Sequence, residues 1–138
     1  MIRGNLIHPE ILAALGTAGH GSQILIADGN YPFVTGANPA AQRVYLNLAP
    51  GLISATDALK AIRGAIPVEA ALVMMPDNGP EPGIFTEFRA LLPGLELTKT
   101  GRFPFYEAAK APAVALVVAT AEQRIYANIL LTIGVVMP

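Results

Sequence analysis

The sequence predicts an α/β protein: a three-layer α/β/α single domain around a mostly parallel or mixed central sheet. Two observations carry this expectation. Segments with helical spacing alternate with short apolar runs through most of the 138 residues, as in chains built from strand–helix units. The runs at 24–27, 70–75 and 113–119 are solidly apolar rather than alternating, as strands covered on both faces are. The length suits one domain with a sizeable core, and 1–138 reads as a single unit without linker, repeat or low-complexity tail.

Each element has its own signal. Pro9 fits a first helical turn, where its missing N–H would have no partner. Ile11, Leu12, Leu15 and Ala18 follow at helical spacing, and Gly16 and Gly19 close the segment. Residues 23–27 read as a buried strand, and Asp28-Gly29-Asn30 as a turn. Residues 43–48 alternate weakly and predict a second strand. Ser54 can cap a helix whose positive start Asp57 favours; it should run to about Ile66, with Pro67 beyond it. Residues 70–75 predict a central strand. The stretch 76–83 holds three prolines and two glycines, which predicts an exposed loop and a candidate lid. A short amphipathic helix is expected over 84–92, an edge strand over 95–99 and one or two helical turns over 105–110. The strongest strand signal covers 113–120, and a last strand is expected over 128–131.

Composition excludes several functions. Hydrophobic residues make up 53% and charged residues 14%, against a usual charged share of about 25%. No window reaches the ~20 apolar residues of a membrane span, so the excess apolar surface predicts subunit interfaces and a homo-oligomer. A net charge of −1 without a basic run argues against nucleic-acid binding. There is no cysteine, hence no disulfide or thiolate chemistry. Residues Met1 to Glu10 lack the apolar core of a signal peptide, so a cytoplasmic protein is expected.

Candidate site residues cluster around strand ends. His20 is one of two histidines and lies between Gly19 and Gly21 just before the first strand. An imidazole is the side chain best suited to act as both acid and base; packed as a structural histidine it would do neither. The glycines resemble a phosphate loop only superficially, because the order is helix, glycines, strand rather than strand, glycines, helix. His8 and His20 lack metal-binding spacing, so neither metal nor cofactor is expected. Asp28 stands beyond the strand's carboxyl end, where ligands of open α/β sheets gather, although a plain turn aspartate would look the same. The eight residues from His20 to Asp28 span up to ~26 Å when extended, which predicts a pocket lined by two subunits unless loops fold back. Arg102-Phe103-Pro104-Phe105-Tyr106-Glu107 could clamp a sugar, donors to its hydroxyls and rings to its C–H faces, or simply pack an arginine over aromatics. Tyr126 and Asn128, at the start of the last strand, add a phenol and an amide.

These segments together resemble the family of D-ribose pyranases and L-fucose mutarotases. The resemblance rests on His8-Pro9-Glu10-Ile11-Leu12, Gly19-His20-Gly21, Ala27-Asp28-Gly29-Asn30-Tyr31-Pro32 and Val73-Met74-Met75. It continues through Arg102 to Glu107, Tyr126-Ala127-Asn128-Ile129-Leu130-Leu131 and Gly134-Val135, in order along the chain. The Val-Met-Met and Arg-Phe-x-Phe-Tyr-Glu segments are more similar to the fucose branch. The resemblance implies a ring-shaped homo-oligomer, a pentamer or two stacked pentamers, and cofactor-free interconversion of the anomers or ring forms of a monosaccharide. It implies that His20 is the catalytic acid and that Asp28, Arg102, Tyr126 and Asn128 contact sugar; Tyr126 is also a candidate proton relay. Asn30 stands where the fucose branch often carries histidine, which leaves the preferred sugar open. Ribose pyranase activity, a non-catalytic sugar-binding or transport-associated module, and a ligand-free structural ring are the alternatives.

Overall fold

A computed structural model describes residues 1–138. Its elements run α1 (Pro9–Thr17), β1 (Gln23–Ala27), β2 (Gln42–Tyr45), α2 (Ala55–Ile62), β3 (Val68–Met74), α3 (Ile84–Leu91), β4 (Leu97–Thr100), α4 (Arg102–Ala109), β5 (Val114–Ala119) and β6 (Ile129–Ile133). The strands form one mixed sheet in the order β2-β5-β1-β6-β3-β4. Five strands are parallel, and β6 runs antiparallel between β1 and β3. The expected α/β fold is the one observed.

Alternation along the strands assigns the two faces. Ile24 and Ile26 point into a core with Ile11 of α1, Leu59 and Ile62 of α2 and the stacked pair Phe85 and Phe88 of α3. Leu25 and Ala27 point the other way, toward Phe105 and Ala109 of α4 and toward Tyr31, Ala37 and Ala41. One layer is therefore three helices; the other is α4 and the loop that precedes β2. Arg43 organises that loop by donating to the carbonyls of Phe33, Val34, Ala37, Asn38 and Ala41, and the Tyr31 hydroxyl donates to Gly36 O at 2.6 Å. Gly36 cannot be enlarged, since a Cβ there would lie 2.7 Å from the Pro32 ring.

Several boundaries differ from expectation for local reasons. β2 ends at Tyr45 rather than at residue 48, because beyond it only the Leu46 N–H still reaches β5, at Ala119 O. α2 has the expected capping box of Ser54 and Asp57 but stops at Ile62, ahead of Gly64, a weak helix former. α4 starts three residues early, at Arg102; Pro104 sits in the first turn, where its missing N–H costs no bond. β3 starts at Val68 and includes the exposed residues Glu69 and Ala70, and β6 extends through Thr132 to Ile133. The loop at 76–83 is largely exposed, as expected, and Glu81 ties it down through ion pairs with Arg89 and Lys99.

Candidate active site

Because β6 is antiparallel, its first residues meet the last residues of β1 and β3. The start of α4, just after β4, reaches the same edge of the sheet. Sequence positions about 100 apart are thereby gathered around a cleft of about 270 Å³ lined by Asp28, Asn30, Tyr31, Met74, Arg102, Tyr106, Ile125, Tyr126 and Asn128. That volume lies just below the ~300–1,000 Å³ of drug-sized pockets, on the scale of a single sugar ring.

Asp28 and Asn128 are the floor, each 3% exposed. The Asp28 N–H donates to Asn128 Oδ1 at 2.8 Å, and Asn128 Nδ2 donates back to Asp28 Oδ2 at 3.0 Å. The Asp28 carboxylate also accepts from the N–H groups of Asn30 (3.0 Å) and Ala127 (3.2 Å). Burial raises the Asp28 pKa, while the donors from Asn30, Ala127, Asn128 and Tyr31 oppose the rise. A fixed acceptor of this kind suits sugar hydroxyls.

The opposite wall is a cation over a ring. Arg102 donates to the Tyr126 hydroxyl at 3.0 Å, and its guanidinium carbon stands 6.0 Å from the centre of that ring. The bond to Tyr126 is the main reason the Arg102 pKa is raised. Tyr126 accepts this bond with its oxygen and keeps its own O–H free to donate. Its backbone is left-handed, φ 62°, a conformation rare for a bulky residue and concentrated at functional sites.

Of the residues singled out in the sequence, Asp28, Arg102, Tyr126 and Asn128 come together here. His20 does not. It lies before β1, at the amino-terminal ends of the parallel strands, where its Nε2 contacts both carboxylate oxygens of Glu69 at 3.1 Å. Five residue steps along β6 separate that end from the cleft, about 17 Å. The 102–107 segment also divides. Arg102 and Tyr106 face the cleft, Phe105 is core, Phe103 is 72% exposed, and Glu107 pairs with Lys110 at 3.5 Å.

Sequence reasoning missed a second polar cluster behind the cleft. Glu122, 5% exposed, accepts from Nε and Nη2 of Arg124, both at 2.9 Å, and from the Ala55 N–H at the start of α2 (3.2 Å). Arg124 also reaches Glu87 at 2.7 Å. The guanidinium of Arg124 is the main cause holding the Glu122 carboxyl down at about 2. The cluster braces the segment that carries Ile125 and Tyr126, and only the spacing Glu122-x-Arg124 hinted at it. No group of three or more His, Asp or Glu side chains is placed to hold a metal ion. No helix is long and apolar enough to cross a membrane.

The fold and cleft define an α/β protein that presents a compact polar pocket at the carboxyl ends of parallel strands. The chain belongs to the RbsD / FucU transport protein family, whose model matches residues 1–136. It is similar to human fucose mutarotase, 31% identical over 144 residues, 94% of this chain and 90% of that protein. It is also similar to the fucose mutarotase of Streptococcus pneumoniae, solved in complex with L-fucose: TM-score 0.82 at 30% identity, covering 95% of each chain. RbsD of Bacillus subtilis, solved with D-ribose, shares the fold, with a TM-score of 0.83 at 22% identity over 99% of this chain and 100% of that one.

Proposed function

We propose that this chain is a sugar mutarotase that interconverts the α and β anomers of L-fucose or a related monosaccharide. One observation carries the reading. A cleft of single-sugar size holds Asp28, Arg102, Tyr126 and Asn128 in a chain similar along its length to a fucose mutarotase that binds L-fucose. Changing an anomer means opening a hemiacetal: the ring oxygen gains a proton, the anomeric hydroxyl loses one, and the aldehyde rotates and recloses. The reaction already proceeds in water, so one positioned acid–base group, contributing roughly 10²–10⁴-fold, is sufficient without a cofactor.

His20 is the proposed acid and Tyr126 the proposed second relay, while Asp28, Arg102 and Asn128 orient hydroxyls. His20 is too far from its own cleft to act there, so a second copy supplies it. Exposed apolar side chains support association: Leu48 is 86% exposed, Phe103 72%, Ile125 66% and Val136 78%. Ile125 also lines the cleft, so an apolar contact from a neighbouring copy there would bring that copy to the pocket. The proposed assembly is a homo-oligomeric ring, a pentamer or decamer, of copies that each form one domain over 1–138. The proposed compartment is the cytoplasm.

Saturation-transfer NMR on L-fucose and D-ribose side by side tests the reading. The expected result is accelerated α/β exchange on fucose, with ribose slower. Preferential ribose exchange would move the chain to pyranase chemistry. Tight binding with no acceleration on either sugar would make it a binding module.

A further inference from the structure

We infer that Glu69 is a positioning residue for His20, holding the Nε2 proton so that Nδ1 is the nitrogen that exchanges a proton with the sugar; this rests on the mutarotase reading above. Nε2 lies 3.1 Å from both Oε1 and Oε2 of Glu69. A carboxylate only accepts, so the contact requires hydrogen on Nε2. The neutral ring then carries its lone pair on Nδ1, and the charged ring carries its second proton there. One nitrogen thus gives its proton to the ring oxygen on opening and takes one back on reclosure, while the proton of the anomeric hydroxyl passes to water through Tyr126 on opening and returns on reclosure.

The pair is built by the fold rather than by sequence proximity. His20 and Glu69 are 49 positions apart and meet because three strand ends converge. The Gly21 N–H donates to Ile133 O at 2.9 Å, and the Ile133 N–H to Ser22 O at 2.9 Å, which pins the His20 turn to the end of β6. Gly21 itself needs φ +81°, so the turn depends on a glycine. Gly134 then donates to Pro67 O at 2.9 Å and leaves room for Glu69. A Cβ at position 134 would stand 3.2 Å from Glu69 Cβ and 3.5 Å from Oε2. Glu69 is also the one charged residue of β3, otherwise Val68, Ala70, Ala71, Leu72, Val73 and Met74. The two side chains are 59% and 44% exposed, so as a surface ion pair they contribute little to stability. The arrangement matters for which nitrogen faces outward, as the third group of a catalytic triad does for its imidazole.

The test measures the full chain two ways. Ring ¹⁵N shifts of His20, taken where the ring is neutral, should report a proton on Nε2 in the wild type and a mixture of tautomers in Glu69→Ala. Exchange kinetics on L-fucose should show kcat falling about 10-fold in Glu69→Ala with KM unchanged, and Glu69→Gln, which keeps an accepting oxygen, restoring it to within about threefold. A Glu69→Ala protein with wild-type kcat and tautomer, or with only KM altered, would overturn the assignment. A wild type that accelerates no sugar overturns the mutarotase reading instead, and the ¹⁵N arm still decides whether Glu69 holds Nε2.

Discussion

Replacing His20 with alanine should slow α/β exchange of the sugar by about 10²–10⁴-fold and leave the fold standing. The size follows from the role. With the acid gone, the orienting groups and Tyr126 remain at the cleft, and water must supply the proton that the ring oxygen takes up. The fold should survive because the imidazole is 59% exposed and bonds only to the half-exposed Glu69. The turn around it is held by Gly21 and by backbone bonds to Ile133, which alanine at position 20 does not touch. Sugar binding should change little, since the orienting groups Asp28, Arg102 and Asn128 all stay in place. Exchange at the wild-type rate in a folded His20→Ala protein would take this residue out of the chemistry.

Asp28→Ala should act on binding rather than on the proton. The carboxylate is the only anionic acceptor lining the cleft, and a bond to a charged group contributes about 1.5–3 kcal/mol, so sugar affinity falls at least about 10-fold if one such bond is lost and about 10²-fold or more if two are. The substitution also strands the N–H groups of Asn30 and Ala127 and the amide of Asn128, all of which donate to this carboxylate. A stability loss of about 1–3 kcal/mol, read from denaturant unfolding, should accompany the weaker binding. Asp28→Asn is no milder alternative, because an amide nitrogen placed at Oδ2 would face the donors of Ala127 and Asn128. Normal sugar affinity with a purely catalytic loss would refute the orienting role.

Much of the fold was legible because its signals are local. The limits of β1, the Ser54–Asp57 capping box and Pro9 at the head of α1 all follow from residues within one turn or one strand. The boundaries that moved depend on partners: the Leu46 N–H makes the last bond to β5, so β2 stops short of residue 48, and Pro104 is harmless only because the helix begins two residues before it. At the cleft, Asp28, Arg102, Tyr126 and Asn128 could be picked out by residue type and strand-end position. Their meeting could not, since it requires β6 to run against its neighbours, and pairing direction leaves no mark in an apolar run. Glu69 stayed hidden for the same reason, as did the Glu122–Arg124 brace behind Tyr126. Neither shows its partner until the sheet order is known.

The separation of His20 from the cleft makes complementation the most direct experiment. His20→Ala and Asp28→Ala copies, each nearly inactive alone at moderate sugar concentration, are unfolded together and reassembled in equal amounts. If neighbouring copies share each pocket, random mixing places an intact imidazole against an intact cleft in about a quarter of the junctions. Exchange should then return to roughly that fraction of the wild-type rate. A mixed assembly no faster than the average of its two parents would contradict a pocket completed by the neighbouring copy.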